Sequence, residues 1–260
     1  MPKFEHYIGI DYSGAQTPTS GLRALQVYAA DWLMPPQEVP PPPSPRKHWT
    51  REGLAEWLVA QFSGQKPLLA GIDHAFSFPL SYFAQHRLPP NWHKFLDDFQ
   101  KHWPTDEPNT YVCFVRDGNC GQGAKRTGDA QWLRLTEQWT ATAKSVFQFD
   151  VPGQVAASTH AGLPWLRFIR DRCRERVHFW PFDGWEVPAG RSVLAEVYPS
   201  LWTRRFPAEG RNGDQHAAYV VAAWLRRADA DGSLAGYFKP PLEPQERTQA
   251  QVEGWILGVA

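Results

Sequence analysis

The chain has 260 residues, 42% of them hydrophobic, with 27 basic and 27 acidic side chains and a formal net charge of zero. That balance excludes a global field drawing in nucleic acid or an anionic membrane, so any such affinity must come from a local patch. Three cysteines without metal-ligand spacing exclude a disulfide framework, and no apolar run approaches the ~20 residues that span a bilayer.

The N-terminus, MPKFEHYIGI, runs straight into a strand and lacks the apolar core of a signal peptide, so a soluble, cytoplasmic protein without a membrane partner is expected. Residues 6–12 read as a first strand and 21–33 as a second, joined as an antiparallel hairpin. Residues 39–45, VPPPPSP, form a stiff polyproline connection, a feature that proline-recognising modules also bind. Thr50 opens a helix over 50–62 with half of a capping box, since glycine stands where glutamate would complete it. Residues 68–79, LLAGIDHAFSFP, give a buried strand that ends on an acid.

An aromatic and proline-rich insertion, roughly 80–190, follows, with a helix at 95–103, FLDDFQKHW. Residues 111–118, YVCFVRDG, read as a strand, and 131–147 as a helix after a glycine-rich loop. The spacing of Leu166, Ile169 and Cys173 predicts a helix over 163–176. A strand at 192–202, a helix over 214–232 stopped by Gly232, and a last helix over 249–259 complete the chain. The pattern is α/β with a mixed sheet, read as a single domain over 1–260.

Four acids stand where the backbone places them. Asp11 and Asp73 each close a Gly-Ile-Asp tripeptide at a strand end, Glu196 lies inside SVLAEVYPS, and Asp214 opens an apolar helix. Sites in α/β sheets gather beside strand ends, where such acids can converge. Two carboxylates about 4 Å apart repel by roughly 4 kcal/mol at an effective dielectric near 20, so a cluster needs a positive charge among them. Oxygen-only ligands suit Mg²⁺ or Mn²⁺, and a pair of such ions supports phosphodiester cleavage. Taken singly, a strand-end Asp can tie down a turn, Glu196 can pair with an arginine, and Asp214 can serve as an N-cap.

Eight segments carry a family resemblance: IGIDYSGA, AGIDHAFSFP, AKSVFQFDVPGQV, STHAGLPWL, HFWPFDGW, AEVYPSLW, DQHAAYVVAAWL and EGWILGV. In this order, over residues 8–259, they resemble the domain of unknown function 429 family, predicted nucleases with a ribonuclease H-like fold. The resemblance implies that Asp11, Asp73 and Glu196 occupy acidic positions of that fold, with the last supplied from the helix at Asp214. The family's helix carries an aspartate immediately before Ala-Tyr, where this chain has Ala217. Either Asp214, one turn earlier, replaces it, or His216 contributes, or the site is weakened.

The loop GNCGQGAKRT fails as a phosphate loop, because Ala124 intervenes before the lysine. As a mobile loop beside the site it offers Lys125 and Arg126 to phosphates, and Lys144 falls in a family-like motif. Arg167, Arg170 and Arg174 share a helix face that is either solvated or grips a nucleic-acid backbone. Three functions compete: a Mg²⁺- or Mn²⁺-dependent nuclease, an actin-like ATPase, and a non-catalytic nucleic-acid or ligand-binding protein with a degenerate site. The ATPase needs a second glycine-rich phosphate loop, and GIDHAFSFP offers bulky residues there.

Overall fold

A computed structural model describes residues 3–260 except 44, 141, 152 and 154. Six strands form one mixed sheet in the order β3-β2-β1-β4-β6-β5. They are β1 His6–Asp11, β2 Gln26–Asp31, β3 Gln37–Glu38, β4 Leu68–Asp73, β5 Val177–Trp180 and β6 Ser192–Glu196. The first three make an antiparallel meander; β4, β6 and β5 run parallel to β1.

The helices cover both faces. Alternation along β1 and β4 sends Ile8, Ile10, Ala70 and Ile72 into one layer, with α1 (Arg51–Phe62), α3 (Trp92–His102) and α6 (Ala156–Cys173). Tyr7 and Leu69 enter the opposite layer, with α7 (Gly213–Ala230), α8 (Leu234–Tyr237), α9 (Pro244–Glu253) and the chain end. Three short helices, α2 (Leu80–Gln85), α4 (Val112–Arg116) and α5 (Leu135–Gln138), fill the long excursion between β4 and α6. No helix among the described residues is long and apolar enough to cross a membrane, and Cys113, Cys120 and Cys173 are free thiols.

This arrangement explains the Gly-Ile-Asp echo. The isoleucines fill the α1–α6 layer, while the glycines face α7. A Cβ on Gly9 would collide with the Ala218 carbonyl oxygen, and one on Gly71 would fall 2.7 Å from Val197 Cγ1. Helix α7 can therefore lie against the sheet only where side chains are missing. Gly9→Ala should destabilise the protein by about 1–3 kcal/mol through overpacking, measured by urea denaturation. A neutral result would mean that α7 shifts freely.

Several expected elements change type or length. Residues 111–118 form helix α4 rather than a strand: Val112 and Val115 are buried one turn apart, so helical spacing in the core overrides the β-branched composition. Of the helix expected over 131–147, the described residues form only the single turn of α5 that follows Arg134, and residue 141 lies outside the described residues. The last helix ends at Glu253 before Gly254 with φ 85°, and Trp255 to Val259 then run into the core. The 163–176 helix begins earlier, at Ala156, and β5, inside the supposed insertion, adds a strand to the sheet edge. The first hairpin and the Thr50 cap agree with expectation; the Thr50 side chain accepts from Gly53 N at 2.9 Å. Within the polyproline segment 39–45, residue 44 lies outside the described residues.

Candidate functional site

The carboxyl ends of β1, β4 and β6 open onto a cleft of about 690 Å³, lined by Asp11, Asp73, Glu196 and Asp214, with Lys144 and Arg134 also in its wall. Strands β1 and β4 are paired with Asp11 level with Asp73. Parallel neighbours lie about 4.8 Å apart, so the two carboxylates leave adjacent strands side by side on one face. That is the α7 face. Asp214, in the first turn of α7, adds its field to Asp11.

Asp214 has no capping duty. Asn212 is the N-cap, its side chain accepting from Gln215 N at 2.9 Å, and Gln215 completes a capping box. The expected role of Asp214 as helix cap thus passes to Asn212, which leaves the Asp214 carboxylate to the cleft. The position of Ala217 is one turn further along the same helix.

Glu196 behaves differently, for a reason of register. It stands level with Ile72, one residue short of Asp73, so the two-residue period of the strand turns its side chain to the opposite face. There Arg134 grips both its oxygens, Nη2 to Oε1 at 2.6 Å and Nη1 to Oε2 at 2.8 Å. Phe76 N adds a third donor at 3.1 Å. Arg134 also binds Glu137 through Nε at 2.8 Å, and all three side chains are buried. The expectation of Glu196 as a metal ligand is corrected accordingly: a guanidinium already balances its charge.

The C-terminal segment braces this network. Glu253 accepts from the backbone N–H groups of Leu80 (2.6 Å) and Leu135 (2.7 Å), and Leu257 N donates to the Glu196 carbonyl at 2.9 Å. Arg134, Glu137 and Glu253 escaped the sequence reading. The available signal was an arginine between two leucines, Leu133 and Leu135, with a glutamate three residues later.

Asp11, Asp73 and Asp214 have no basic side chain bonded to them, and no hydrogen-bond donor among the described residues. Burial, followed by the charges of Asp73 and Asp214, holds the Asp11 carboxyl well above its usual range. Burial and then the Glu196 charge push Asp73 up to about 7. The folded protein therefore keeps the Asp73 proton up to pH about 7, whereas the unfolded chain releases it near 3.8. Between those values folding takes up a proton, so stability falls as pH rises through the window. In chelator, Tm should decline from pH 4 towards 7.5 more steeply for the native protein than for Asp73→Asn. Parallel Tm–pH curves would show that Asp73 is not strained.

The loop after β1 is held by Arg51, which is wholly buried and donates to the carbonyls of Ser13 (3.2 Å), Ala15 (2.6 Å) and Gln16 (2.9 Å). A Cβ on Gly14 would overlap the backbone of Ala157, so the first turn of α6 rests directly on this loop, and Ser158 joins the cleft wall.

Other predicted contacts fall elsewhere. Lys125 ends an exposed turn outside the cleft wall, and Arg126 is bound to Asp98 by Nε at 2.8 Å and Nη2 at 3.0 Å. Their loop belongs to the outer helical layer, because Gly123 packs on Trp103 and the Arg126 carbonyl accepts from Trp103 Nε1. His216 turns towards the Thr203 carbonyl at 3.3 Å and lies outside the cleft wall. Arg167 pairs with Asp97 and Asp171, and Arg170 with Asp183, so two of the three helix arginines are neutralised locally. Of the predicted basic contacts, Lys144 alone is in the cleft wall among the described residues.

A cation site of this kind would have Asp11 and Asp73 as its donors. Their chemistry fits Mg²⁺ or Mn²⁺: hard oxygens, raised in pKa by burial and then by neighbouring carboxylate charge, a cost that a divalent ion relieves. Among the described residues, no group of three or more His, Cys, Asp or Glu side chains is arranged to hold a metal ion. Mg²⁺ commonly takes one or two carboxylates and keeps several waters, so the pair suffices for one ion. Compared with protein-family models, curated proteins and solved structures, the chain matches none.

Proposed function

We propose that this protein hydrolyses phosphodiester bonds in nucleic acid with the help of a hard divalent cation, Mg²⁺ or Mn²⁺, on a ribonuclease H-like fold. The observation that carries the reading is the level pair of Asp11 and Asp73 at the ends of adjacent parallel strands, inside a cleft and without a bonded basic side chain among the described residues. An antiparallel meander leading into parallel strands, with acids at the carboxyl ends of the central pair, supports the fold assignment. A cation there would supply an activated water and would neutralise charge on a leaving oxygen. The chain's own groups do the rest. Asp11 and Asp73 would hold the ion, Asp214 adds negative potential to Asp11, and Lys144 lies in the wall of the same cleft. Arg134 fixes Glu196, whose charge, after burial, is the second cause of the raised Asp73 pKa.

The test is calorimetric titration with Mg²⁺ and Mn²⁺, paired with cleavage of end-labelled single- and double-stranded DNA and RNA. Cation binding together with cleavage supports the proposal; absence of cation binding by the native protein sinks it. The second reading is a nucleic-acid- or ligand-binding protein of the same fold without catalysis. It is favoured by the capture of Glu196 by Arg134 and by Ala217, and it predicts binding with no cleavage of any of the four substrates.

A further inference from the structure

Beside the two acids lies a small space that the chemistry above does not use. Tyr12 and His74 directly follow Asp11 and Asp73, and their rings meet edge-on with centroids 4.6 Å apart. Both residues border the cleft. Both also border a cavity of about 10 Å³ whose wall is largely aliphatic, from Leu54, Leu58, Ile72 and Leu166, with Arg51 of α1 and Trp165 of α6 supplying further polar atoms.

Three of these wall residues carry a buried polar atom with no hydrogen-bond partner among the described residues: Tyr12 Oη, Arg51 Nε and Trp165 Nε1. The residues are only 8%, 0% and 6% exposed. Arg51 spends both terminal nitrogens on loop carbonyls, and Nε is the donor left over. His74 supplies a fourth group. Its Nδ1 faces the Ala75 carbonyl at 2.9 Å, so that nitrogen carries the proton, and Nε2 presents a lone pair beside Gly162. Folded proteins satisfy nearly all such buried groups, by protein or by internal water.

We propose that this cavity is a binding site for one water molecule. It accepts from Arg51 Nε and Trp165 Nε1 and donates to Tyr12 Oη and His74 Nε2. Roughly 10–15 Å³ of probe-sphere space is what a single water needs, and two donors with two acceptors match its valence. A halide suits the wall less well, because the His74 lone pair repels it and three carbonyls already face the Arg51 charge. The water links α1 and α6 to the residue following each acid. None of this depends on what the cleft catalyses.

A high-resolution crystal structure of the intact protein should show one density peak within hydrogen-bond reach of at least three of the four atoms. Tyr12→Phe and Trp165→Phe each remove a partner and should lower Tm by roughly 2–4 °C, with a smaller loss in combination than the sum. A dry cavity gives the opposite sign, since deleting an orphaned hydroxyl relieves a burial penalty. A rise in Tm with no density peak overturns the site, and so does an anomalous peak there after bromide soaking. If Tyr12→Phe fails to fold, Trp165→Phe and the native density decide.

Discussion

Replacing either Asp11 or Asp73 with Asn should weaken Mg²⁺ or Mn²⁺ binding by more than about 100-fold, the loss expected when an inner ligand goes rather than an outer one. Asn keeps the shape and an oxygen but removes the charge that makes the pair attractive to a cation. The same change should raise stability in chelator at pH 8, because it removes a buried charge facing Asp11 and Glu196. Asp214→Asn should have a smaller effect on affinity, since its contribution is a field and not a place in the pair. Isothermal titration of the three variants, with Tm in chelator alongside, separates these outcomes. Unchanged cation affinity in Asp73→Asn, with the chelator Tm also unchanged, would remove the pair from any functional account.

Arg134→Met should be the most damaging single change for stability, at about 3–5 kcal/mol, because it strands Glu137 and Glu196 as buried carboxylates without a counter-charge. Chemical denaturation measures it. Adding Glu137→Gln and Glu196→Gln should recover much of the loss, since the cost lies in the unpaired charges and not in the missing arginine itself. A loss below 1 kcal/mol in the single variant would mean that water reaches the pair. The comparison also bears on function. If the triple variant still binds Mg²⁺, Glu196 is confirmed as part of the scaffold and not of the ligand set.

The two acids of the Gly-Ile-Asp tripeptides were legible because each closes a hydrophobic run, and a run that ends on a charge marks where a strand leaves the core. The helices α1, α3, α6 and α7 were legible from apolar spacing and from Thr50 and Gly232 at their boundaries. Helix α4 was not, because VCFVR has strand-like composition and only the burial of Val112 and Val115 one turn apart decides for helix. Nor does periodicity reveal that Arg134, just before the single turn at Leu135, turns inward to two carboxylates.

The sequence by itself determined the mixed α/β class, the strands that carry Asp11 and Asp73, and the helix that carries Asp214. Those follow from local periodicity and from where charges interrupt it. Only the tertiary structure decided that Asp11 and Asp73 are level while Glu196 is one residue out of step. Register between strands distant in the chain is set by packing against both helical layers, and one residue of offset reverses the face a side chain takes. That offset separates the level pair from the glutamate held by Arg134.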